Sequence, residues 1–271
     1  MSGQSAWISV GALGEAFEPG NNTLEPSDAL RGRQIELFIE DGSRLRLQFE
    51  GGGRVNLKEQ VGGREGSEHA ADCYVAEVRK GVFFLDYIDP DPARGPSKVS
   101  VVLDLGAGVC TVLRGRLPDP AFVRLSLADR IERGGDLTGI AVQCLAGTDG
   151  SVGTSSTPRH EPTQDLVGRR VRYTYSPTET YEHVYLNPQR YTWHCLQGAE
   201  AGLADTDSCL YRRVADGLYL FSWSEKIVPT LGIVVVDLTN RRTCGKIFGY
   251  RNFACEGLAN FPVGARISAI G

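Results

Sequence analysis

Apolar residues recur at every second position over short stretches of this chain. Leu45, Leu47 and Phe49 alternate with Arg44, Arg46 and Gln48, and residues 35–39 show the same period. A period of two marks a half-buried strand. Glu40-Asp41-Gly42-Ser43 forms a turn between these stretches, and Glu50-Gly51-Gly52-Gly53 leads into the next at 54–57. Residues 82–88 and 99–105 predict further strands. Short strands at regular spacing with Gly-rich turns predict an antiparallel meander, and closing it into a barrel removes its exposed edges. In 119–133, Phe122, Leu125, Leu127 and Ile131 fit a 3.6 period only loosely and predict a short helix.

The pattern then repeats. Leu30-Arg31-Gly32-Arg33-Gln34-Ile35 returns as Leu166-Val167-Gly168-Arg169-Arg170-Val171. Val78-Arg79-Lys80-Gly81-Val82-Phe83-Phe84-Leu85 returns as Val214-Ala215-Asp216-Gly217-Leu218-Tyr219-Leu220-Phe221 at the same offset of 136 positions. Cys73 falls on Cys209 in that register, and residues 99–105 match 232–238 after a short deletion. The expected architecture is all-β, with two tandem antiparallel barrels and a short helical or irregular connector. Residues 1–146 form the first, mainly structural barrel, 147–164 a linker rich in Gly, Ser, Thr and Pro, and 165–271 the second barrel. Such barrels often carry a ligand in the mouth or interior.

Comparing the copies points to the second as the functional one. Leu45, Leu47 and Phe49 become Tyr181, His183 and Tyr185, while Val55 and Leu57 become Tyr191 and Trp193. Polar tips inside a closed barrel need partners, which a polar ligand or water supplies. His183 titrates near neutrality and suits proton transfer, or is a core histidine bonded to a carbonyl. Tyr219, Phe221, Trp223 and Glu225 share a face, which puts Glu225 at the rim beside Trp223. There its pKa would rise and it would serve as a general acid. His194 and Lys226 point the other way, towards solvent or structural roles. Asp205-Thr206-Asp207 reads as a turn, and no metal site is expected. Arg170 and Lys246 are candidates to hold an anionic substrate.

The net charge of −4 over 271 residues provides no basic footprint for nucleic acid. No run approaches the ~20 apolar residues that span a bilayer. The start of the chain lacks a basic segment followed by an apolar core, so no export signal is predicted. Seven cysteines without close pairs then predict free thiols in a reducing cytoplasm, and Cys73 and Cys209 as small buried residues. There is no P-loop, no G-x-G-x-x-G after a strand, no H-E-x-x-H and no G-x-S-x-G, so no cofactor is expected.

The second repeat resembles the MoaF family. The residues that carry the resemblance are His183-Val184-Tyr185-Leu186-Asn187, Tyr191-Thr192-Trp193-His194-Cys195, Asp205-Thr206-Asp207, Leu218 to Lys226, and Gly245-Lys246-Ile247-Phe248-Gly249. The resemblance implies N- and C-terminal halves of lipocalin-like (calycin) type. It also implies a tie to a gene cluster for molybdenum cofactor synthesis, but it brings no catalytic residues with it. Two functions follow as expectations. One is a cofactor-independent acid–base enzyme, a lyase, isomerase or cyclase, acting on a small conjugated or aromatic acid in the second barrel. The other is a small-molecule carrier, linked through the family name to molybdenum cofactor metabolism. Titratable His183 and Glu225 favour the enzyme. The partner expected is a small molecule, not nucleic acid or membrane, and a homo-oligomer stays open.

Overall fold

A computed structural model describes residues 6–150 and 159–271. Residues 151–158, within the segment expected to be a linker, lie outside the described residues. Barrel one is a closed meander of β1 (Gln34–Ile39), β2 (Arg44–Gly51), β3 (Arg54–Val61), β4 (Arg64–Arg79), β5 (Val82–Ile88), β6 (Ser97–Asp104), β7 (Val109–Arg116) and β8 (Ala141–Thr148), each paired with its neighbour in sequence. β1 closes the ring on β8 through Phe38↔Thr148 and Ile39↔Gly147. β8 therefore runs two residues into the stretch read as linker.

Barrel two repeats this order with β9 (Arg170–Thr174), β10 (Thr180–Asn187), β11 (Arg190–Gln197), β12 (Ala204–Ala215), β13 (Leu218–Glu225), β14 (Thr230–Asp237) and β15 (Arg242–Tyr250). Its last stretch is divided. β16 (Leu258–Val263) pairs with β15, and β17 (Arg266–Ile270) pairs with β9 and touches β15 at Arg242↔Arg266. The division falls at Gly264, where a Cβ would lie 2.4 Å from Thr23 Cα. Asn21 Nδ2 donates to Pro262 O (2.9 Å) and Asn22 Nδ2 to Thr174 O (3.0 Å). These side chains supply backbone partners where the ladder is interrupted.

The register confirms the alignment of the copies. Leu47 faces Leu57 and Phe49 faces Val55; His183 faces Trp193 and Tyr185 faces Tyr191. Barrel one packs aliphatic side chains inside, with Leu37, Leu45, Leu47, Val55 and Leu85 all buried. Barrel two packs rings.

The compact units do not follow chain order. Residues up to Thr23 and the Leu117–Ala141 connector group with Pro162–Gly271, whereas Leu24–Arg116 and Val142–Glu161 form the other unit. The lead-in holds a helix that the sequence pattern did not show, α1 (Val10–Phe17), capped by Ser9 and burying Val10, Leu13 and Phe17. Gly11 and Gly14 lower its intrinsic propensity, yet close packing requires them. A Cβ on Gly14 would lie 2.8 Å from the Phe261 ring, and one on Gly11 2.6 Å from Arg251 O. The connector forms two short helices, α2 (Pro120–Val123) and α3 (Leu127–Arg133), the second opened by a Ser126–Asp129 capping box. No described helix is long and apolar enough to cross a membrane.

Candidate active-site cavity in barrel two

Strand alternation sends Tyr181 and His183 of β10, Tyr191 and Trp193 of β11, and Trp223 of β13 into barrel two, where they line a cavity with Tyr175, Ile247, Glu200 and Glu225. Leu13 and Phe17 of α1 complete the lining. The cavity measures about 30 Å³, room for one or two waters at about 10–15 Å³ each. Phe17 stacks on Tyr175 at 5.0 Å, and Trp7 meets Trp193 edge-on at 5.5 Å. The lead-in thus fills the mouth with rings.

His183 is 5% exposed, and its Nδ1 has no hydrogen-bond partner among the described residues. Tyr173, Tyr191 and Phe221 surround its ring at 4.7, 5.2 and 5.9 Å. Burial pushes its pKa down to about 3, so the imidazole is uncharged near neutrality. The carbonyl bond expected of a core histidine is not among its contacts at Nδ1. Tyr185 lies deeper, fully buried and bonded through its hydroxyl to Tyr173 at 2.6 Å, outside the cavity lining.

Three carboxyls gather around the cavity, each accepting from an interior ring. Tyr181 OH donates to Glu200 (3.1 Å), Trp193 Nε1 to Asp207 (3.1 Å) and Trp223 Nε1 to Glu225 (2.8 Å). Burial raises the pKa of all three. Glu225 rises well above the usual carboxyl range, through burial first and then through the charges of Asp207 and Glu200. Burial thus shifts the imidazole of His183 and the carboxyl of Glu225 in opposite directions.

Several placements differ from the sequence reading. Arg170 sits on the outer face with its side chain 65% exposed, paired with Glu182 at 2.8 Å. Lys246 donates to Asn260 O and does not line the cavity. The physical reason is alternation: the interior neighbours Val171 and Ile247 turn Arg170 and Lys246 outward. Neither lines this cavity. Asp205-Thr206-Asp207 is strand, not turn, and Asp207 is 2% exposed. Lys226 is not solvated but bridges Asp205 (2.5 Å) and Asp207 (3.3 Å). His194 is half-buried on the outer face of β11. Cys209, only half-buried, donates through its thiol to Tyr211 OH at 2.9 Å.

Gly232 is a further determinant. It faces Trp223 across the ladder, and a Cβ there would lie 2.1 Å from the indole. The equivalent pair in barrel one is Tyr87 and Val99. Barrel two therefore has a larger ring opposite a missing side chain. Gly232→Ala is expected to displace Trp223, break its bond to Glu225 and cost ~1–3 kcal/mol through overpacking. A red-shifted tryptophan emission checks this; unchanged emission and stability would show that the indole is not confined.

At least three other hollows are larger, one of them, about 580 Å³, lying over Asn21–Thr23 and Asn240–Arg242. A second, of about 640 Å³, runs between α1 and β16, is lined by Glu15, Glu18, Asn21, Arg251 and Phe261 among others, and reaches neither His183 nor Glu225. A third, about 230 Å³, lies at the mouth of barrel one over Leu45, Leu57, Tyr87 and Val99, so barrel one is not packed solid to its rim. Arg94 crosses it, paired with Glu59 and with Asp89 at 3.1 Å. No cluster of three or more metal-type side chains occurs among the described residues.

Fold and cavity together define a class: a tandem up-and-down barrel protein whose first interior is aliphatic and whose second is aromatic and acidic. The MoaF N-terminal domain matches residues 5–119 and the MoaF C-terminal domain residues 160–271. The chain belongs to the MoaF family. It is 38% identical over 269 residues to Protein MoaF of Klebsiella aerogenes, covering 98% of this chain and 95% of that one. A crystal structure of a "putative beta-lactamase" from Burkholderia vietnamiensis aligns with 38% of this chain and 96% of its own at 16% identity and a TM-score of 0.30, a likeness too slight to carry an argument.

Proposed function

We propose that barrel two is a small-molecule site whose chemistry is proton transfer, making the protein a cofactor-independent acid–base enzyme of the lyase or isomerase type. One observation carries this. A carboxyl whose pKa is raised by burial, Glu225, and a buried imidazole with an unpartnered nitrogen, His183, border the same aromatic cavity. In the proposed cycle Glu225 delivers a proton to the substrate while Trp223 Nε1 fixes its other oxygen. His183 Nδ1 accepts the proton that the substrate gives up and returns it to Glu225, directly or through a water, while the rings exclude bulk water. Arg170 and Lys246 have no part in it.

The test starts from the molecule that co-purifies with the protein, identified by mass spectrometry after denaturation and returned to fresh protein. Chemical conversion is expected, and Glu225→Gln is expected to slow it by about 10²–10⁴-fold. Return of the molecule unaltered would replace this reading with that of a carrier.

A further inference from the structure

The mouths of the two barrels are equivalent places. Leu45, Leu57, Tyr87 and Asp89 line one cavity, and their counterparts Tyr181, Trp193, Trp223 and Glu225 line the other. The β5–β6 connection of barrel one is longer than its β13–β14 counterpart, and the longer connection carries Arg94. There the guanidinium lies between the carboxylates of Glu59 and Asp89 above an apolar floor. Barrel two keeps the carboxyl at Glu225, adds Glu200 and Asp207, and supplies no arginine. Its cavity lining contains no Arg or Lys at all. The nearby cation, Lys226, is committed to Asp205, Asp207 and Thr206 O.

We infer that the ligand of barrel two carries a planar cationic nitrogen group, an amidine, guanidine or protonated ring amine, which occupies the place Arg94 takes in barrel one. The inference rests on the reading of barrel two as a small-molecule site, and it changes the expected ligand from an acid to a base. Three features favour such a group. Glu225 and Glu200 can accept its N–H donors, the unpartnered Nδ1 of buried His183 can accept another, and the faces of Trp193, Trp223 and Tyr175 attract positive charge. A carboxylate ligand would meet the same ring faces unfavourably. Phe17, stacked on Tyr175, occupies the position a planar ligand would take, so binding displaces that ring.

Calorimetric titration of the full chain with benzamidine and with benzoate tests this. Benzamidine is expected to bind at least tenfold tighter than benzoate. Glu225→Gln and, separately, Glu200→Gln are each expected to weaken it at least tenfold while near-ultraviolet dichroism stays native. Binding of benzoate without benzamidine would overturn the cationic assignment and leave the small-molecule site standing. So would benzamidine binding that is indifferent to both substitutions. Failure of both probes to bind, in the wild type and in Phe17→Ala with its wider mouth, would overturn the site itself.

Discussion

Acidification is expected to destabilise barrel two through His183. Its folded pKa, pushed down to about 3 by burial, lies below the ordinary value of 6.5. The unfolded chain therefore takes up a proton that the folded chain refuses. The stability this neutral imidazole contributes is complete above pH 6.5 and is lost as pH falls towards 3, a change on the order of 5 kcal/mol. Glu200, Asp207 and Glu225 act in the opposite sense. Their folded pKa values are raised, so they favour the fold at low pH and weaken it as pH rises beyond the ordinary carboxyl range. Urea unfolding of wild type and His183→Phe between pH 7 and pH 3.5 separates the two effects. The wild type should lose several kcal/mol more on acidification than the variant. Equal acid sensitivity would mean that His183 is not the group resisting protonation.

Replacing Lys98 by Met is expected to be comparably severe in barrel one. Lys98 and Asp86 are both completely buried and lie 2.6 Å apart, and Ser100 Oγ donates to the same carboxylate at 2.5 Å. A charge left without its partner in such a place costs about 3–5 kcal/mol. Asp86→Leu should cost a similar amount for the mirror reason. The double variant should recover most of the loss, because a buried pair and an apolar pair of similar size differ little in net stability. Chemical unfolding of the two single variants and the double variant completes the cycle. Singles within ~1 kcal/mol of wild type would show that water reaches the pair.

Much of this was legible in the sequence because alternation and duplication are both local signals. The contrast of Leu47 with His183 and of Leu57 with Trp193 marks the aromatic interior in the sequence itself. The same comparison holds two further swaps. Ala71, an interior residue, corresponds to Asp207, and Val99 corresponds to Gly232; each swap marks the cavity. Arg170 and Lys246 carry the charge an anionic ligand would need, but alternation with Val171 and Ile247 turns both outward. Three features had no sequence signal of this kind. Glu200 lies in a turn between strands, where period two says nothing. Lys226 is drawn inward by Asp205 and Asp207 across the ladder. Trp7, Leu13 and Phe17 have no counterpart in the other copy, and the glycines of α1 mask its helical pattern until Phe261 is seen against them.

The lead-in has a kinetic side. Asn21 bonds to Pro262, 241 positions along the chain, and Phe17 packs against Phe261. During synthesis the strands of barrel one are all available long before β16 exists. Contacts of such long sequence separation form late. Val10, Leu13 and Phe17 must therefore wait, uncovered, for a partner surface made near the end of translation. For the same interval the mouth of barrel two is unplugged. Until the lead-in docks, Leu13 and Phe17 are missing from the lining of that cavity.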